Sequence, residues 1–161
     1  MTDAQEAVDL SCLRKQAWDY FQLHAAQRLT TFNFYIVMSS LVSTAMVASF
    51  QKDFRLRHLG LIPGAFLILL SLVFWQLDER NKVLIRVGER ALKYFEHHSG
   101  LQDEATSPHI AKVFLREEFD TNLSKGGTLS SLRYWSYSKC FRAIFIFFGT
   151  IGAIGAFFSL R

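Results

Sequence analysis

Residues 32–50 of this 161-residue chain read FNFYIVMSSLVSTAMVASF, 19 positions without a charged side chain. A helix of about 20 apolar residues, rising about 1.5 Å per residue, matches the hydrocarbon core of a lipid bilayer. A core helix of a soluble protein carries a polar face at every turn, and this segment does not. The segment therefore predicts a transmembrane helix and an integral membrane protein.

Two further runs of this kind are residues 59–77 (LGLIPGAFLILLSLVFWQL) and 143–160 (AIFIFFGTIGAIGAFFSL), neither of which contains a charge. Charged residues still make up 20% of the chain, so the apolar residues, half of the total, are concentrated in three blocks. We predict an all-α integral membrane protein with three transmembrane helices. The alternative is a soluble bundle of three unusually apolar helices.

The first two predicted spans continue into polar sequence without a helix breaker. No glycine or proline precedes Gly60, so residues 4–50 predict one long helix that begins outside the membrane. Residues 78–98 keep a helical period until Ser99-Gly100. We therefore expect the first two spans to extend into a cytoplasmic helical stalk. Ser107 and Pro108 predict the start of a short helix over residues 109–119.

These observations divide the chain into six segments. They are a cytoplasmic amphipathic helix (1–31), transmembrane helix 1 (32–50), an outer loop (51–58), transmembrane helix 2 (59–77), a cytoplasmic helical region (78–140) and transmembrane helix 3 (141–160).

The orientation follows from the distribution of lysine and arginine. Eleven of these residues lie in 79–142, and cytoplasmic segments carry an excess of them. The N-terminus and residues 79–140 are therefore predicted to be cytoplasmic, although the outer loop holds three basic residues.

The first 30 residues lack the apolar core of a cleavable signal peptide. Cys12 and Cys140 lack metal-ligand spacing, and no metal or cofactor is expected.

Polar residues flank the membrane entry of both long helices. His24 and Arg28 share a helix side, and Asp78 on the next helix lies at a matching depth. One interpretation is an arginine that snorkels to lipid headgroups beside a solvated helix face. The other is an interhelical polar cluster, because polar groups buried near a membrane need partners. The predicted cluster comprises His24, Gln27, Arg28, Asn33, Asp78, Arg80 and Asn81.

Small residues recur within two of the spans: Gly149, Gly152 and Gly155 in the third, and Ser39 and Ser43 in the first. Small residues at this spacing let helix backbones approach closely in lipid. The glycines predict close helix packing within the chain or between subunits. The serines predict interhelical hydrogen bonds or the lining of a narrow water-filled path. The three cores contain no Asp, Glu or Lys, which argues against a proton-coupled transporter.

Arg90 and His97 have the spacing of the Arg-X(4–6)-His signature of HEPN ribonucleases. In such a site the arginine stabilises phosphate charge and the histidine moves a proton. The signature is loose, and Ala91 occupies the position that usually holds a polar residue. Catalysis by Arg90 and His97 is therefore a minor alternative, and we expect no enzyme.

Three runs carry a resemblance to a known group of proteins: WDYFQLHAAQRLTTFNFYIV (18–37), FWQLDERNKVLIRVGERAL (74–92) and SYSKCFRAIFIFFGTIGAIGAF (136–157). Together they resemble small bacterial inner-membrane proteins of antiviral defence loci, including membrane accessories of RNA-targeting CRISPR systems. The matching polar positions are Arg28, Asp78, Arg80 and Asn81. The resemblance implies an oligomeric effector that disrupts the membrane or its potential when infection is sensed.

The sequence thus favours a homo-oligomeric membrane effector that forms a pore or perturbs lipid, gated by a cytoplasmic signal. That signal is a protein, an RNA or a nucleotide. A membrane-anchored scaffold for a cytoplasmic partner is the second hypothesis, and a membrane-tethered HEPN-like ribonuclease is the third.

Overall fold

A computed structural model describes residues 3–50, 60–104, 107–124 and 137–160, and for residues 3–8 and 124 it describes the backbone alone. These residues form four helices and no strand. The helices are α1 (Asp3–Ser49), α2 (Leu61–His97), α3 (Val113–Ser124) and α4 (Tyr137–Leu160). By length and composition, α1, α2 and α4 are able to cross a membrane. The prediction of an all-α fold with three such helices is confirmed.

The chain forms two compact units. The first unit comprises Met1–Ala26 and Asn81–Tyr134, and the second comprises Gln27–Arg80 and Trp135–Arg161. Helices α1 and α2 contribute to both units, as expected for helices in which no proline interrupts the interior.

The second unit is built on an aromatic core. Tyr35, Phe141 and Phe145 are almost fully buried, and Phe32 stacks on Phe141 with ring centroids 3.7 Å apart. The Tyr35 hydroxyl lies 2.9 Å from Ser71 Oγ, so the polar end of this ring has a partner inside the core. About half of the large apolar side chains of α2 and α4 in this unit are exposed, as expected for helices that face lipid on one side.

The first unit packs α1, α2 and α3 around Phe21. A Cβ on Gly88 of α2 would lie 3.0 Å from the Phe21 Cβ, and the Phe21 ring meets Phe114 of α3 edge to face, 5.3 Å between centroids. Glycine at position 88 therefore serves close helix approach, which offsets its low helix propensity. Gly100, with φ of 71°, follows the end of α2.

The short third helix begins later than the sequence predicts. Residues 109–119 were expected to be helical, but α3 starts at Val113. The cause is a tertiary cap: the Glu96 carboxylate of α2 accepts hydrogen bonds from the backbone N–H groups of Phe114 (3.1 Å) and Leu115 (2.9 Å). The Ser107 hydroxyl bonds to Glu104 instead of capping a helix.

The predicted basic outer loop, 51–58, lies outside the described residues.

Candidate functional site

A buried ion pair joins α1 and α2 in the second unit. Arg28 Nε donates to Asp78 Oδ1 at 2.7 Å, and the two side chains are 15% and 5% exposed. Arg28 Nη2 also donates to Ser138 Oγ of α4 at 3.2 Å, and its guanidinium lies 4.9 Å from the centroid of the Phe141 ring. One arginine therefore contacts a carboxylate, a hydroxyl and an aromatic face, and it ties three helices together.

A second ion pair, between Glu79 and Arg142, links α2 and α4. Arg142 Nη2 and Nε both reach Glu79 Oε1, at 2.6 and 3.0 Å. Both side chains are more than a third exposed, so this pair contributes little to stability by itself, roughly 0–1 kcal/mol. Its main effect is to hold α4 against α2, since Glu79 directly follows Asp78 of the buried pair.

The other members of the predicted cluster occupy different environments. His24 belongs to the first unit, where its ring meets Tyr20 edge to face with centroids 4.3 Å apart. Asn81 is buried in the same unit. Gln27, Asn33 and Arg80 are exposed in the second unit. Of the seven predicted residues, the described contacts bring Arg28 and Asp78 together.

Sequence reasoning missed the contribution of α4 to this pair. Ser138, Phe141 and Arg142 all lie in the first turns of α4. These residues lie at the membrane entry of the third span, as Arg28 and Asp78 do in the other two spans. This shared position is the feature of the sequence that could have predicted the contact. We call Arg28, Asp78, Ser138 and Phe141 the polar junction.

The glycines of α4 pack against the chain's own helices. A Cβ on Gly152 would lie 2.8 Å from the Gly64 carbonyl oxygen and 3.1 Å from the Leu67 Cβ, so α2 and α4 touch through their backbones here. Gly155 faces the flexible Met46 side chain of α1, and Gly149 has Ser71 at an ordinary 3.6 Å. The close approach is the packing that small residues permit in membranes.

The polar residues of the first span lie on two opposite faces. Ser39 is fully buried and Ser43 half-buried, and their hydroxyls have no hydrogen-bond partner within the described part of the chain. Thr30, Asn33, Ser40 and Thr44 are exposed. At 3.6 residues per turn they fall within an arc of about 80°, nearly opposite the buried side of α1. We call these four residues the polar stripe.

The residues of the ribonuclease hypothesis, Arg90 and His97, are both exposed on α2. This hypothesis stays a prediction. No group of three or more potential metal-ligating side chains occurs in the described ranges.

Comparison with known proteins identifies the family. A model of the octameric membrane protein family (8xMP) matches residues 13–161, which is nearly the whole chain. The chain belongs to this family. It is also 32% identical over 146 residues to CD-NTase-associated protein 19 of Escherichia coli, covering 91% of this chain and 89% of that protein. No solved structure matches.

Family membership supports the prediction of a homo-oligomeric protein associated with a membrane. The relative's name refers to a CD-NTase, whereas the sequence resemblance suggested CRISPR systems.

Proposed function

We propose that this protein is a homo-oligomeric effector of bacterial antiviral defence that forms a pore in the inner membrane. Eight copies assemble, as the family description suggests, with the N-terminus and residues 79–140 in the cytoplasm. A cytoplasmic signal on the first unit opens the pore. The pore, the orientation and the gating go beyond family membership, and they rest on the features of the chain described next.

The observation that carries the pore proposal is the polar stripe. Lipid offers no partner to a hydroxyl or an amide, so a helix avoids turning a line of such groups toward hydrocarbon. Ser40 and Thr44 donate to the backbone carbonyls one turn earlier, at 2.8 and 2.9 Å, which lowers but does not remove the cost of exposure. The stripe runs over 15 residues from Thr30 to Thr44, or roughly 21 Å of helix. In a ring of subunits this face is suited to line a water-filled path.

The polar stripe lies beside exposed apolar residues of the same helix, Phe34, Val37, Leu41 and Val47, and the outward faces of the other two spans are more uniformly apolar. Their large exposed residues are apolar: Ile62, Phe66, Leu69, Leu72 and Val73 on α2, and Ile146, Phe147, Ile154, Phe157 and Phe158 on α4. Such faces suit lipid or a neighbouring subunit. We therefore assign the path to α1, and to the exposed Ser40 and Thr44 instead of the buried Ser39.

The experiment is an ion-flux assay on proteoliposomes with a matched pair of variants. Thr44 and Thr150 are both exposed, and each hydroxyl donates to a carbonyl of its own helix at 2.9 and 2.8 Å. Thr44→Leu places a ring of apolar side chains on the path and should reduce flux by about tenfold or more through dewetting. Thr150→Leu, on the apolar face of α4, should leave flux unchanged. Equal flux in both variants would exclude the stripe as the path.

The source of the signal is proposed from the similarity to CD-NTase-associated protein 19 of Escherichia coli. Because that protein is named for its association with a CD-NTase, we extend the association to this chain and place the signal within a CD-NTase system. The same name favours the second hypothesis, a membrane-anchored scaffold that binds a cytoplasmic protein without conduction. Wild-type proteoliposomes that remain impermeable under every activating condition, while the first unit captures a CD-NTase, would favour the scaffold.

A further inference from the structure

In the first unit, α2 presents an exposed face that is both basic and apolar. Two of its members are valines, 59% and 51% exposed, and the other two are exposed arginines. At 3.6 residues per turn the four side chains fall within an arc of about 100°. Neither arginine has an ion-pair partner in the parts of the chain that the structure describes. We call these residues the basic face: Val83, Arg86, Val87 and Arg90.

Helix α3 of the same unit presents a face of the opposite charge. It combines two apolar side chains, 61% and 65% exposed, with two exposed carboxylates, within an arc of about 120°. The third carboxylate of α3, Glu118, is used inside the chain, where it lies 2.8 Å from Lys93 Nζ of α2. The two exposed carboxylates form no ion pair with any other described residue. We call these residues the acidic face: Val113, Glu117, Asp120 and Leu123.

The two faces match in spacing as well as in charge. Arg86 and Arg90 are four residues apart in α2, and Glu117 and Asp120 are three residues apart in α3. Side chains at these separations are neighbours on a helix surface, with Cβ atoms about 5–6 Å apart. Two guanidinium groups on one helix can therefore bind two carboxylates on another at the same time, while the apolar members of both faces pack beside them.

Two other partners fit the basic face less well. Contact with the same face of a second copy would place arginine against arginine, and such like-charge contacts are unfavourable. Lipid headgroups are distant: Arg90 follows Leu77, the end of the uncharged run, by roughly 20 Å along α2, whereas the headgroup layer is about 5–8 Å deep. A face that carries acidic and apolar side chains remains, and the chain itself has one on α3.

We infer that in the assembled octamer the basic face of one copy docks on the acidic face of the next copy. The chain belongs to a family of octameric membrane proteins, so every copy has neighbours of its own kind. A contact between two different faces is head-to-tail, and its repetition closes a ring of copies. The inference rests on family membership and not on the pore. It gives Arg90 a role in assembly instead of catalysis.

The test reverses the charges of the two faces in the full-length protein. Arg86→Glu/Arg90→Glu sets acidic against acidic, and Glu117→Arg/Asp120→Arg sets basic against basic. Either double variant alone should need at least about tenfold more protein to form octamers in detergent, measured by size-exclusion chromatography with light scattering over a dilution series. The control is Asp9→Arg/Asp19→Arg, which reverses two exposed carboxylates of α1 outside both faces and should assemble like wild type.

Co-expression of the two double variants with different affinity tags separates contacts between copies from contacts within one copy. Each reversed face then meets the opposite charge only on the other variant. Because eight is an even number, the two variants can alternate around a closed ring. Octamers that contain both tags should therefore reappear, at protein concentrations within about threefold of those that wild type needs.

Two results would overturn the inference: full assembly of either double variant alone, and no mixed octamers from the co-expressed pair. Circular dichroism identifies a variant that loses helix. In that case Arg86→Gln/Arg90→Gln replaces it, and unchanged assembly of this neutral variant would also contradict the docking. If the basic-face variant keeps its octamers but loses binding to single-stranded RNA or to anionic vesicles, the face belongs to that partner instead. The readout is assembly, so failure of the ion-flux assay leaves this interface standing.

Discussion

Two glycines of α4, one turn apart, should respond oppositely to the same substitution. In Gly152→Ala the new methyl would lie 2.8 Å from the Gly64 carbonyl oxygen and 3.1 Å from the Leu67 Cβ. These atoms belong to the backbone and to the base of a side chain, so they cannot rotate away, and α2 and α4 must separate. In Gly149→Ala the nearest atom, the Ser71 Cβ, is 3.6 Å away, which is an ordinary contact.

The magnitude follows from these distances. Forcing a methyl group into a packed interface costs about 1–3 kcal/mol. Alanine gains up to about 1 kcal/mol over glycine in helix propensity, and this gain is shared by both variants. Gly152→Ala should therefore be about 1–3 kcal/mol less stable than Gly149→Ala, and Gly149→Ala should match or exceed wild type.

The assay is reversible unfolding in mixed micelles, with increasing dodecyl sulfate and far-ultraviolet circular dichroism as the signal. Both variants are compared with wild type at the same protein concentration, because assembly adds to apparent stability. A difference between the two variants below about 0.5 kcal/mol would refute the backbone contact between α2 and α4.

Three further predictions concern charged side chains. Asp78→Asn should cost about 3–5 kcal/mol in the same unfolding assay, because it leaves the Arg28 charge buried without its carboxylate, and Arg28→Met with Asp78→Leu should recover most of the loss. Glu96→Ala should speed hydrogen exchange in the first turn of α3, measured by mass spectrometry, with the rest of α2 unaffected. The pKa of Asp103 should lie below its ordinary value of 3.8, because the Lys112 side chain and a backbone N–H donate to it. The stabilisation exists above that ordinary value and disappears as pH falls through the lowered pKa. A carboxyl NMR titration should therefore show the Asp103 pKa rising in Lys112→Met, and an unchanged pKa would contradict the pairing.

The sequence was sufficient for the helices that depend on local pattern. Uncharged runs of 18 or 19 residues predicted α1, α2 and α4, because length and apolar composition are properties of one segment. The start of α3 was wrong by four residues, since its position is set by Glu96, which lies 18 residues away from Phe114 in the chain. A cap supplied by another helix leaves no signal in the sequence around the helix that it caps.

The polar junction was likewise predictable from the sequence only in part. The depth of Arg28 and Asp78 in their two helices was readable from the ends of the uncharged runs, and these two side chains do meet. Ser138 and Phe141 were not predicted, because their approach depends on how α4 packs against the other two helices. Likewise, the hydroxyls of the first span were visible in the sequence. That Ser39 faces inward while Ser40 and Thr44 face outward became apparent only in the folded chain.

The most direct test of the pore is the membrane potential of cells that express the protein, followed with a voltage-sensitive dye before and after phage challenge. Wild type should depolarise the membrane on challenge, Thr150→Leu should behave like wild type, and Thr44→Leu should keep the potential near its resting value at equal expression. An unchanged potential in cells with wild-type protein, before and after challenge, would contradict the account.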